Sequence, residues 1–310
     1  MSRIVREFGT QLLRTRIVAD DDGALWWERT VGAACPDEFS SLRVRDFTAD
    51  APGMVKAEPA DESMRYRVDA LWSVADCIAA GDTTPARVLG AFTTLGGALA
   101  QLHGLPTHPP ATRAPRPNKR LRIFLTSRRE TGWCAGEEAL ADRAHEIAHS
   151  IDCLQSGAGV RTVHGNATLG NVAAARDGSF ALMVGEDVAS ARPESDVGAP
   201  LGDLVEFAVA GRLRAAAVTE SATALLSSYA LSIDTDLARH ATAVRLLTHY
   251  SDYQRFAART HDRNYAAVMV GIALAVFDAD HLSAPDPAVA PVEGLLAALA
   301  RPFAQQERNL

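Results

Sequence analysis

The sequence predicts an α+β chain in two lobes, a small β-rich lobe over residues 1–72 and a larger, mainly helical lobe over residues 73–310. Up to about Leu71, apolar and polar side chains alternate between turn signals, as in half-buried strands. From Pro85 onward, apolar residues recur at helical spacing. A short stretch with strand and hairpin character, residues 163–187, interrupts the helical part.

In order, Arg16-Ile17-Val18 and Ala24-Leu25-Trp26-Trp27 flank Asp20-Asp21-Asp22-Gly23, a hairpin turn in which Gly supplies positive φ. Neighbouring strand residues face opposite sides, so one of Trp26 and Trp27 belongs in the core and the other on the surface. Leu42 to Phe47 and Met64 to Leu71 read as further strands. Val88, Leu89, Phe92, Leu95, Leu99 and Leu102 give a helix from Pro85 to Leu105, closed by Gly104 and Pro106. Residues 106–117 are Pro-rich and predict an extended loop. Helices follow near 137–153, 201–213, 219–231, 236–260, 265–277 and 292–300. Within the interruption, Val160 to Val163 leads into a loop, and Val172–Ala175 and Phe180–Val184 flank Arg176-Asp177-Gly178 as a hairpin.

Composition excludes several classes of function. A net charge of −7 argues against a generic nucleic-acid or anionic-membrane surface. No stretch approaches the roughly 18 apolar residues of a spanning helix, and no basic-then-apolar leader opens the chain. The four cysteines have no close metal-ligand spacing and predict reduced thiols in a cytoplasm. The many arginines beside only two lysines, Lys56 and Lys119, reflect a compositional bias and define no binding cluster.

The stretch Val163-His164-Gly165-Asn166-Ala167-Thr168-Leu169-Gly170-Asn171, the hairpin ending Gly185-Glu186-Asp187, and the later Asp196 and Asp203-Leu204 form one pattern. Residues 163–207 resemble the aminoglycoside phosphotransferase and choline kinase superfamily. Its members carry a His-Gly-Asp loop, an Asn five residues beyond that Asp, a hairpin ending in a metal-binding Asp, and an acidic segment ending Asp-Leu. The helix ending Ala100-Gln101-Leu102-His103-Gly104-Leu105-Pro106 resembles the family's helix after the hinge. The resemblance implies a bilobal protein-kinase-like fold, ATP and Mg²⁺ as cofactors, and phosphoryl transfer to a hydroxyl of a small molecule or peptide. It places Asn166 at the catalytic Asp position and Asn171 at the metal-binding Asn. Asp187 falls at the metal-binding Asp, with Glu186 as a second candidate, and Asp196 at the Asp that ties down the loop. His164 belongs to the same catalytic loop, in a hydrogen-bonding role. The segment from Gly185 to Glu206 resembles a narrower branch, the kinase-like proteins of class V lanthipeptide and thioamitide pathways. That branch implies a precursor-peptide Ser or Thr as acceptor and an elimination lyase as partner.

Two features depart from the family. No Gly-rich phosphate cradle is visible between the first strands. Lys56 is the one lysine able to meet nucleotide phosphates, either on the third strand or, in the favoured register, as a hairpin residue beside a last strand at Met64 to Leu71. Asn166 can orient a hydroxyl but cannot take its proton. That leaves an atypical kinase, an engineered substitution, or a non-catalytic pseudokinase that binds a peptide or a partner enzyme. His145-Glu146-Ile147-Ala148-His149 matches a zinc-protease helix, but no third ligand follows, so solvated surface histidines are the expectation.

Overall fold

The computed structural model describes residues 3–35, 52–60, 63–105, 113–134, 136–256, 263–279 and 299. Strands β1 (Arg3–Gly9), β2 (Leu13–Ala19), β3 (Leu25–Val31), β4 (Met54–Lys56), β5 (Glu58–Ala60), β6 (Ser63–Arg67) and β7 (Ala70–Ser73) precede helices α1 (Val74–Ala80), α2 (Pro85–Gly104), α3 (Arg116–Thr131) and α4 (Glu138–Gln155). Then come β8 (Arg161–Val163), a 3-10 turn (Leu169–Asn171), β9 (Val172–Ala175), β10 (Phe180–Val184) and β11 (Ala189–Ala191). Helices α5 (Glu194–Val209), α6 (Ala215–Tyr229), α7 (Thr235–Phe256) and α8 (Arg263–Phe277) complete the described elements. The expected strand at 42–47 lies outside the described residues, and of the expected helix at 292–300 only Leu299 is described, as helical.

An antiparallel sheet in the order β1-β2-β3-β6-β5 forms the N-terminal layer. Its register sets Ile17, Trp27 and Tyr66 abreast, and likewise Thr15, Arg29 and Met64. All six point to one face and are buried, because side chains two apart on a strand share a face. Trp27 is 0 % exposed, whereas Trp26 lies half-buried under Arg65 on the other face. The turn between β2 and β3 is held by Asp20, whose carboxylate accepts the amides of Asp22 and Ala24 and the Trp26 indole N–H. The acidic turn is therefore built on local hydrogen bonds.

A second sheet, in the order β4-β10-β9-β7, lies beneath the first, with β4 and β10 parallel. Ala173 of β9 and Met183 of β10 share one buried cluster with Ile17, Leu25, Trp27, Tyr66 and Ala70. The first sheet and the β9–β10 hairpin are thus packed face to face. The chain then turns from β7 into α1 through a capping box, Ser73 with Asp76, and leaves α1 through Gly81 at φ 71.

Most of the expected helices are present, with informative differences. Val88, Phe92, Leu95, Leu99 and Leu102 form the buried stripe of α2, while Leu89 is exposed. Helix α3 was not expected: its first two residues fall at the end of the expected loop, and the rest lies where no element was assigned. Its opening Arg116-Pro117 reads as loop, yet Pro is tolerated in the first helical turn, where its missing N–H has no partner to lose. Helix α5 begins seven residues before the expected Leu201 and continues through Pro200. Pro inside a helix removes one backbone bond, so periodicity alone stops there. Helices α5 and α7 cross at Gly198, where a Cβ would sit 2.5 Å from the Cβ of Ala241. Among the described residues no helix is long and apolar enough to cross a membrane.

Candidate functional site

The site forms where the loop between β8 and β9 meets the end of β10. Gly165 has φ 81, and a Cβ there would lie 2.2 Å from the Asp187 carbonyl, so both backbone conformation and close approach demand glycine. Asp196, at the start of α5, accepts the amides of His164 (2.6 Å) and Gly165 (2.9 Å). It also accepts His103 Nε2–H at 3.0 Å, while His103 Nδ1 accepts the Tyr229 hydroxyl at 2.9 Å. His103 thus bridges α2, α5 and α6 in the core. Burial and the Asp196 charge push the Tyr229 phenol up, so it stays a donor. Asp203 of α5 accepts the Leu169 amide (2.7 Å) and pairs with Arg245, fixing the 3-10 turn.

His164 is buried and both its ring nitrogens are used. Nε2–H donates to the Met183 carbonyl at 2.7 Å, and Nδ1 accepts the Asn166 amide at 3.2 Å. Both partners are protein backbone groups, so the ring orients the loop. Asn166 turns its amide to Asp187 Oδ2 at 3.0 Å. Asp187 also receives the Arg116 guanidinium on Oδ1, and Arg113 holds the Glu186 and Val188 carbonyls. Burial pushes the Asp187 carboxyl up, but Arg116 and Asn166 outweigh it and hold it well below the usual range.

The carboxylate that shares a cation with Asn171 is Glu186, and the cation is Arg29. One Arg29 nitrogen donates to Asn171 Oδ1 and to Glu186 Oε1, each at 2.5 Å, and the other donates to the Gly170 carbonyl at 3.1 Å. Arg29 is 2 % exposed. Burial keeps the Glu186 carboxyl raised despite Arg29. Lys56 lies on β4, paired with β10 outside the N-terminal sheet, and the buried cation on β3 is Arg29. The sequence held a signal for it. Leu25, Trp27 and Arg29 alternate along the buried face of β3, a pattern that puts a charged side chain on the core face of a strand.

Of the oxygens on Asn171, Glu186 and Asp187 that a Mg²⁺ ion would need, one, Glu186 Oε2, is buried without a hydrogen-bond partner. The others face Arg29, Arg116 or Asn166. Two guanidiniums already balance the two carboxylates, and a further divalent charge would leave an excess of buried positive charge. This arrangement does not fit a Mg²⁺ ion held by these side chains alone.

On the solvent side of Asn166 a cavity of about 750 Å³ opens between the β1–β2 turn, α3 and α7. Thr10, Leu12, Asn166, Arg120 and His249 are among its walls. His145 and His149 are exposed on α4 and are not among this cavity's walls, and Glu146 pairs with Arg143. Among the described residues no three His, Cys, Asp or Glu side chains are placed to hold a metal.

No protein-family model matches the sequence, and no curated protein matches it. Solved structures do match. A choline/ethanolamine kinase family protein from Mesorhizobium loti aligns over 96 % of this chain and 92 % of its own, at 14 % identity and TM-score 0.57. Amicoumacin kinase hAmiN, in complex with AMP-PNP and Ca²⁺, aligns over 88 % of this chain and 87 % of its own, at 13 % identity and TM-score 0.59. Choline kinase LicA from Streptococcus pneumoniae covers 88 % of this chain and 94 % of its own, at 11 % identity and TM-score 0.53. The chain has the bilobal fold of the aminoglycoside phosphotransferase and choline kinase-like superfamily. Identities this low establish the fold and leave the chemistry to the site.

Proposed function

We propose that this protein is a kinase-fold binding protein that transfers no phosphate. The observation that carries the reading is Arg29 set between Asn171 and Glu186, where a catalytic metal would have to lie. Asn166 at the catalytic carboxylate position points the same way, since an amide cannot act as a general base. Its ligand, a hydroxyl-bearing small molecule or a precursor peptide, would enter the cavity outside Asn166, and an elimination lyase is the partner enzyme consistent with a peptide pathway. A second reading, an ATP- and Mg²⁺-dependent phosphotransferase, has one observation in its favour. Asp196 still holds the His164 and Gly165 amides, which keeps the loop shaped as a working one needs.

Thermal denaturation with and without ATP and Mg²⁺ separates the two. The binding-protein reading expects no Mg²⁺-dependent rise in midpoint with ATP. A rise that disappears in Asp187→Ala, together with phosphate transfer that increases in Asn166→Asp, would replace it with the kinase reading.

A further inference from the structure

Beside Asn166, and sharing it and Thr248 as walls with the large cavity, lies a second space of about 20 Å³. It is bounded by the first turns of α3 and α5, the end of α4, the Gly165-Asn166 loop and one side of α7. Asn118, the third residue of α3, and Ser195, the second of α5, both line it. Leu154 and Val244 add apolar walls that can serve neither of them. Asn118 Nδ2 and Ser195 Oγ are buried from bulk solvent and have no hydrogen-bond partner among the described residues. Asn118 as a whole is 6 % exposed. The two groups do not serve each other, because an amide N–H within reach of a hydroxyl oxygen would donate to it. Exchanging the oxygen and nitrogen of the amide brings no relief, since the same gap still separates the groups.

A buried donor left unpaired costs more free energy than an ordinary hydrogen bond contributes, and native interiors relieve it with ordered water where there is room. Room for one water begins at roughly 10–15 Å³, and this space exceeds that with two polar groups on its walls. We infer that one water molecule is a fixed part of the site, accepting from Asn118 Nδ2–H and hydrogen-bonded to Ser195 Oγ. Its place gives it a task. Ser195 adjoins Asp196, which accepts the His164 and Gly165 amides. Asn118 lies two residues beyond Arg116, which holds Asp187. The water therefore joins the two helix starts that support the loop and the carboxylate on either side of Asn166. This goes beyond the binding-protein reading and holds whether or not the site transfers phosphate.

A high-resolution crystal structure of the wild-type chain is expected to show a single water peak within about 2.7–3.2 Å of both atoms. Thermal denaturation of Ser195→Ala then decides by its sign. Removing a hydroxyl that bonds the water lowers the midpoint, by about 1–3 °C, whereas removing an unpaired buried hydroxyl would raise it. In the same variant, hydrogen exchange at the His164 and Gly165 amides is expected to be at least about threefold faster, with the amides of α2 unchanged. A wild-type structure with no water peak in the space overturns the inference, and so does a Ser195→Ala midpoint above that of the wild type. Unchanged exchange at His164 and Gly165 overturns the water's part in holding the loop. None of these measurements involves nucleotide or Mg²⁺, so their outcome is separate from that of the Mg²⁺–ATP test above.

Discussion

A guanidinium buried to 2 % exposure must be neutralised where it lies, because an unpaired charge in a low-dielectric interior is costly. Arg29 meets that demand through Glu186 and the Asn171 and Gly170 oxygens. Arg29→Met strands Glu186 without its counter-charge and is expected to destabilise the fold by about 3–5 kcal/mol in urea denaturation. Adding Glu186→Gln should recover part of that loss, since the pair would then be removed together. A single variant as stable as the wild type would show that Arg29 does not hold the site. Lys56 lies on β4 opposite Val184, at the end of β10 that leads into Glu186 and Asp187.

At the level of elements, helix crossings turn on glycines that composition alone makes look equivalent. On α2, a Cβ at Gly96 would meet Ser228 Oγ at 2.1 Å and the Leu225 carbonyl at 2.3 Å, whereas one at Gly97 meets nothing within 4 Å. Gly96→Ala is expected to cost about 1–3 kcal/mol by forcing α6 outward, and Gly97→Ala to stabilise by about 0.5–1 kcal/mol through helix propensity. Thermal midpoints moving in opposite directions would confirm the contrast. Helices α4, α7 and α8 meet at His240, which lies on the Phe277 ring at 4.5 Å and takes the Ser150 hydroxyl on Nδ1 at 3.2 Å. Burial, helped by Arg239, lowers its pKa from 6.5 to about 4. The folded state therefore favours the neutral ring. The stabilisation is fully present above pH 6.5 and is lost as pH falls toward 4, because the unfolded chain takes up the proton first. With its partial exposure the effect is about 1–3 kcal/mol, and His240→Phe should flatten the stability profile between those pH values.

Over the whole molecule, the decisive feature is continuity between the upper sheet and the β9–β10 hairpin. Trp27, Ala173 and Met183 lie in one buried cluster, and β4 pairs directly with β10. Tryptophan fluorescence, dominated by Trp26, Trp27 and Trp72 of the first eighty residues, and helical circular dichroism should therefore report coincident urea transitions. An earlier fluorescence transition would mean that the sheet separates from the helical part before it unfolds.

The loop at 163–171, the hairpin at 172–184 and the long apolar stripe of α2 were legible in the sequence because their signals are local. Each depends on residues within a few turns or strand steps of one another. Helix α3 was obscured because its buried apolar face is reduced to Leu121, Phe124 and Leu125 among many charged residues, and the start of α5 was hidden by Pro200, which that helix accommodates. The sequence by itself determined a kinase-like fold and an amide, Asn166, where a base belongs. Tertiary structure alone decided what fills the cleft. Arg29 and Asn171 are 142 positions apart, and no spacing rule links them. Only the register of β3 in its sheet and the packing of that sheet onto the hairpin bring the Arg29 guanidinium to Asn171 and Glu186.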